Sequence, residues 1–515
     1  MIILGLDGAT LSVLRPWAEA GELPTFERLF DESVHSELES TEPPVTIPAW
    51  LTFATSRTPE DLDMYGFTHF NREIRELELT HDRYVSGKLW DVVSDQGGKS
   101  VVFNIPGSYP WQEIDGTIVA AAPEYKESYA YPEERWDELV DLVDGYKLRI
   151  DAESGTEEYV QQGLDLVEKR FTAFEHFIEQ EEPDLAVGLI RATDRIAHHY
   201  WNEEITEDND LLDVYKAVDH RLGKFLKRHG EENVVIMSDH GFEAIDSYFA
   251  VNNLLQQRGF TTLSESGDHR QAALGKMRVV ARRVLSKLGL LTFVRRNIPE
   301  ETVRSVPSGT TLGLDNAISL GRIDWDETVA VADSGGKTAL VYVFEDDAAE
   351  RERLLGDIED ALRDAASEVE IEATFTRTDR GNVHTPDLKM TIRTTGVYTS
   401  SRFDVDGSVF HEDSSGHSMN GIFFARGPDF RNGEVENARL IDIAPTVLHG
   451  LGMSIPEYMT GDVLDVFEPE SGPGRNEHSR YEFVGGDAIA EGGVSGDEER
   501  ETEVKDRLRD LGYID

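Results

Sequence analysis

One transition recurs along this chain and limits what it can fold into. Six short apolar, β-branched runs break off at Gly, Asp or Pro: "MIILGLDG", "KSVVFNIPG", "DLAVGLIRATD", "NVVIMSDHG", "ALVYVFED" and "GIFFARGP". Helix-patterned stretches, Glu157 to Gln180 and Leu211 to His229, lie between several of them. Strands that are apolar on both faces belong inside a sheet covered by helices, and parallel strands need crossovers long enough to hold a helix. The pattern therefore predicts an α/β fold around a mostly parallel central sheet, with ligands at the carboxyl ends of its strands.

Charge narrows the function. Against 50 Lys and Arg stand 100 Asp and Glu, a formal charge of -50 over 515 residues. Nucleic-acid backbones are repelled by such a surface, so no nucleic-acid binding is expected. Acid runs through every segment while the apolar periodicity is kept, which suits a folded protein solvated in high salt and predicts a halophilic source. With no Cys, disulfides, thiolate zinc sites and cysteine nucleophiles are excluded, and any metal must be held by His and carboxylate. "MIILGLDG" is too short for a signal-peptide core and no apolar run reaches the length of a membrane span, so the chain reads as cytoplasmic.

The chain divides into an α/β core over 1–263, a partly basic helical insertion over 264–325, the rest of the core over 326–468, and an acidic, Gly-rich tail over 469–515 with a short terminal helix near Val504 to Leu511. The insertion carries "KMRVVARRVLSKLGLLTFVRRN", with Arg282 and Arg283. An amphipathic helix packing on the core and a substrate-facing or partner-facing element both account for it.

Five places offer chemistry. In "PPVTIPAWLTFAT", Pro43, Pro44 and Pro48 stiffen the path around Thr46, and the apolar residues that follow predict a helix, which sets Thr46 near a helix N-terminus where an anion is welcome. Asp7 follows the first strand in "GLDG", where a plain Asp-Gly turn would also account for it. Asp194 and His198 stand four apart in "ATDRIAHHYW", so on a helix they share one face, as ion pairs also do. "VVIMSDHGF" delivers Asp239 and His240 at a strand end, and His417 lies in the Gly- and Ser-rich loop "SSGHSMNG". Three carboxylates, three imidazoles and one hydroxyl are enough for two nitrogen and oxygen metal sites with room for a substrate. No Walker A loop, G-x-G-x-x-G loop or G-x-S-x-G elbow competes, and His411 and His417 are six apart rather than the four of a zincin helix.

The order of these pieces resembles the alkaline phosphatase superfamily, and within it the type I phosphodiesterase/nucleotide pyrophosphatase family, in a halophilic, archaeal form. The resemblance runs from about 1 to 465 and rests on Asp after the first strand, "PPVTIPAW", "TDRIAHHYW", "SDHG" and "GHSMNGIFFARGP" followed by "IDIAPTVLHGLG". It implies a three-layer α/β/α sandwich and two divalent ions, Zn2+ or Mn2+. One would be held by Asp194, His198 and His417, the other by Asp7, Asp239 and His240 with Thr46 as a further ligand. Thr46 would be the nucleophile of a phosphothreonine route acting on a small phosphodiester or nucleotide-like substrate. A phosphomonoesterase or phosphotransferase with the same centre, and a metal-stabilised binding protein without turnover, are the alternatives. Two departures stand out: Leu62 and Asp63 replace a usual His-Gly pair, and Thr46-Ile47-Pro48-Ala49-Trp50 lacks the Cys or Ser and the Arg of a sulfatase box.

Overall fold

The computed structural model describes residues 1–79, 83–121, 129–147, 150, 156–201, 209–230, 232–264, 320–483 and 489–491. Its main sheet has ten strands, and Ile2–Leu6 lies near the middle between Val234–Met237 and Leu185–Ile190, parallel to both. Ser100–Phe103 and Gly116–Val119 extend it on one side, again in parallel. On the other side Asn420–Arg426 runs antiparallel and leads to Val34–Glu39. The runs read from the sequence supply five of these strands, and the two helix-patterned stretches form Glu157–Glu181 and Asp210–Arg228.

Alternation along the strands makes the three layers. Leu4, Leu6, Ile190 and Ile236 point into a core shared with Leu11–Glu19, Pro24–Glu32, Glu157–Glu181 and Asp210–Arg228. Ile3, Val187, Leu189, Val235 and Met237 point the other way, toward Thr46–Thr55, Leu89–Asp95 and Ile443–Gly450. Both faces are dry, as a parallel sheet requires. Trp50 ties the helix Thr46–Thr55 to the sheet at close range: a Cβ on Gly5 would stand 2.4 Å from its Cη2, so the glycine makes room for the indole.

"ALVYVFED" does not join this sheet. Its strand Thr338–Val343 pairs antiparallel with Ala330–Gly336 across a single residue, leaving no length for a crossover helix. These two belong to a second, seven-stranded sheet with Ala373–Arg377, Leu388–Ile392, Val397–Ser400, Gly241–Ala250 and Val409–Ser418, covered by Ala348–Glu368. The chain crosses between the sheets twice, at Ser238–His240 and at Met419, and both crossings carry residues of interest alongside them. Nearly all of the insertion, with Arg282 and Arg283, and the terminal helix near Val504 to Leu511 lie outside the described residues. Described parts of the tail pair with the body: Arg480–Tyr481 with Ile455–Pro456, and Ile489–Glu491 with Arg83–Val85. Among the described residues no helix is long and apolar enough to cross a membrane.

Candidate metal centre

Strand ends deliver the site. Asp7 follows Leu6, Asp239 and His240 follow Met237 by two and three residues, and Asp194 lies in the first turn of Ala192–Tyr200, just beyond the strand Leu185–Ile190. His198 stands one helical turn after Asp194 on the same face, as the spacing predicted. Thr46 opens the helix Thr46–Thr55 with Pro48 in its first turn. Gly8, at φ 67°, bends the chain sharply after Asp7, and a Cβ there would stand 3.1 Å from Asp194 Cβ.

His417 corrects the sequence reading. It sits on the ten-residue strand Val409–Ser418, with Phe242 opposite it on Gly241–Ala250, rather than in a loop. "HEDSSGHS" has little strand propensity of its own, and the antiparallel partner 175 positions earlier supplies its backbone hydrogen bonds. The Tyr398 hydroxyl donates to the His417 carbonyl at 2.5 Å. At the other departure, Asp63 adopts φ 49°, the left-handed conformation that a glycine takes without strain.

Six residues converge in two sets, Asp194 with His198 and His417, and Asp7 with Asp239 and His240, the ligand atoms of each set lying within 4.8 Å of one another. The imidazole and carboxylate atoms are specific. His417 Nδ1 lies 3.1 Å from the Pro44 carbonyl and His240 Nδ1 lies 3.0 Å from the Gly241 carbonyl. A carbonyl only accepts, so both Nδ1 atoms carry a proton and both Nε2 atoms face the cluster. His198 Nε2 and His417 Nε2 approach to 3.1 Å, with Asp194 Oδ1 at 3.4 and 3.3 Å from them. His240 Nε2 stands 3.2 Å from Asp239 Oδ2, 3.7 Å from Asp7 Oδ1 and 3.3 Å from Thr46 Oγ1.

The donor set fits divalent cations. Asp7 Oδ1, Asp194 Oδ1 and Asp239 Oδ2 are buried and accept no hydrogen bond, and these are the oxygens nearest the imidazole Nε2 atoms. Two of the sister oxygens are otherwise employed: Asp7 Oδ2 takes Arg191 Nε at 3.3 Å and Asp239 Oδ1 takes the Gly8 amide at 3.3 Å. Unpartnered buried carboxylate oxygens cost several kcal/mol unless a cation meets them. The electrostatics carry the same message. Burial, then Asp194, pushes the Asp7 carboxyl up to about 6. Burial, Asp7 and Asp194 push Asp239 well up, and burial with His417 holds the His240 imidazole well below its ordinary range, neutral and ready to ligate. Burial also acts against the Asp194 carboxylate, but His198 and His417 outweigh it and hold that carboxyl well below its usual range.

Arg191 went unnoticed in the sequence. The only signal available was a base at the end of a buried strand, "GLIR", in a chain of formal charge -50.

Residues 1–302 match the family described as type I phosphodiesterase / nucleotide pyrophosphatase. Among solved structures, phosphonoacetate hydrolase from Sinorhizobium meliloti 1021, in complex with phosphonoformate, is 12% identical at a TM-score of 0.48, over 87% of this chain and 95% of that one. Murine ectonucleotide pyrophosphatase / phosphodiesterase 5 is 15% identical at a TM-score of 0.42, over 88% and 95%. No curated protein matches the sequence.

Proposed function

The chain belongs to the type I phosphodiesterase/nucleotide pyrophosphatase family, and from that premise we propose that it hydrolyses small phosphodiesters in two displacements, the first by Thr46. The observation that carries this reading is the set of three unpartnered carboxylate oxygens facing imidazole Nε2 atoms, with Thr46 Oγ1 3.3 Å from His240 Nε2. Two divalent cations held by Asp194, His198 and His417 and by Asp7, Asp239, His240 and Thr46, Zn2+ or Mn2+ by the chemistry of the donors, would supply the positive charge that makes a threonine oxygen nucleophilic and neutralises the phosphoryl group.

The residues do the rest. Thr46 Oγ1 forms a bond to phosphorus as the bond to the leaving alcohol breaks. Water then takes the place of Thr46, releasing a monoester and restoring the hydroxyl. The helix N-terminus at Thr46 favours the anionic phosphoryl group, and the burial of Thr46, 2% exposed, keeps competing water away. A diester suits the surroundings better than a monoester: Glu42 to Thr55 contain no base, and the Arg191 guanidinium beside the centre is engaged with Asp7. We read the -50 charge as adaptation to high salt, and the chain as cytoplasmic. Metal depletion tests the reading: turnover of bis(p-nitrophenyl) phosphate in molar KCl should vanish on chelation and return with Mn2+ or Zn2+. Full activity in a metal-free preparation would sink it.

A further inference from the structure

Glu42 opens the proline-bracketed segment that leads to Thr46, and Glu60 lies just past the helix that Thr46 begins. One ammonium from the second sheet serves both. Lys389, on Leu388–Ile392 with its side chain 8% exposed, pairs with Glu60 Oε1 and lies 3.6 Å from Glu42 Oε2. The other oxygen of Glu42 meets Arg393 Nη2 at 2.5 Å, while Arg393 Nη1 reaches Glu39 Oε1 at 3.0 Å, at the end of the strand that feeds the segment. Between these anchors, Thr41 Oγ1 donates to the Pro43 carbonyl at 2.7 Å and His417 Nδ1 to the Pro44 carbonyl at 3.1 Å. The segment is thus gripped from one side by two cations and tied to a candidate metal ligand on the other.

We propose that Lys389 and Arg393 are positioning residues for the nucleophile, an ionic clamp by which the second sheet sets where Thr46 Oγ1 stands. The proposal rests on the reading of Thr46 given above. Its physics is that of protected ion pairs. Molar salt screens exposed charges over about 3 Å, but a largely buried pair is screened much less, so the clamp holds where surface pairs fade. Removing Lys389 leaves Glu42 and Glu60 without their shared cation, and an uncompensated, partly buried carboxylate drives rearrangement. That rearrangement falls on both flanks of Thr46. In-line attack tolerates little of it, since a misplacement of about 1 Å costs on the order of 100-fold.

The test uses Lys389→Met and Arg393→Gln in molar KCl with bis(p-nitrophenyl) phosphate. Each should lower kcat by about 10- to 100-fold with KM and bound metal unchanged. Lys389→Arg should recover most of the loss, as should Lys389→Met combined with Glu60→Gln, which removes the orphaned charge. Arg72→Gln is the control: it breaks a buried pair at 2.9 Å to Asp387, the residue just before the strand Leu388–Ile392, without touching the Thr46 segment, and should lower Tm but not kcat. Hydrogen–deuterium exchange at Val45 to Ala49, which needs no turnover, should quicken in Lys389→Met and Arg393→Gln. Exchange and kcat both equal to wild type in these variants, or a loss of Tm alone as in Arg72→Gln, would overturn the clamp. A wild type that hydrolyses no phosphodiester would refute the functional reading only, because the exchange measurement still decides the clamp.

Discussion

Stripping the metals should make the stability of this protein depend on pH in a way set by Asp7. A carboxyl raised from 3.8 to about 6, by burial and then by Asp194, corresponds to about 3 kcal/mol. The sign follows from proton binding. The folded state holds the Asp7 proton more tightly than the unfolded chain does, so this stabilisation is complete below about pH 4 and is lost as pH rises through about 6. Urea unfolding of the chelated protein in molar KCl, followed from pH 4.5 to 7.5, reads the loss. Comparison with Asp7→Asn removes the general repulsion of a chain with -50 charge, because that background is common to both. Wild type should fall relative to the variant by about 2 kcal/mol over this range when metal-free, the part of the swing that lies above pH 4.5, and by far less with Mn2+ or Zn2+ bound. A metal-free difference that stays flat or grows more favourable with pH would refute the reasoning.

Three further outcomes are expected. Thr46→Ala should abolish turnover of an aryl phosphodiester while Tm and bound metal stay near wild type, and Thr46→Ser should keep part of the activity; steady-state rates and metal analysis check both. The kcat/KM for bis(p-nitrophenyl) phosphate should exceed that for p-nitrophenyl phosphate at the same pH and salt, and a clear monoester preference would favour a phosphomonoesterase instead. Tm should rise from dilute to molar KCl, as screening over about 3 Å relieves the self-repulsion of a -50 chain; an unchanged Tm would contradict adaptation to high salt.

Local signals made the main sheet legible. Apolar runs ending in Gly or Asp marked Ile2–Leu6, Leu185–Ile190 and Val234–Met237, and strand ends are where Asp7, Asp239 and His240 stand. Helical spacing of four placed Asp194 and His198 on one face. What stayed hidden depends on partners distant in sequence. His417 reads as a loop residue because Ser and Gly surround it, and only pairing with Gly241–Ala250 makes its segment a strand. The second sheet is antiparallel in most of its pairings and takes strands from 241 to 418, so no contiguous βαβ pattern announces it. Ion pairs such as Arg191 with Asp7 and Arg393 with Glu42 join residues 184 and 351 positions apart, and such pairing leaves no periodic trace.

Transfer through Thr46 is the central claim, and stereochemistry at phosphorus tests it most directly. A phosphorothioate diester of one hand at phosphorus, hydrolysed in 18O-labelled water, yields a monoester whose handedness counts the displacements. Each in-line displacement inverts phosphorus, so attack by Thr46 followed by attack of water predicts overall retention, and Thr46→Ala should yield no product. Overall inversion would mean a single displacement by water and would contradict the covalent route.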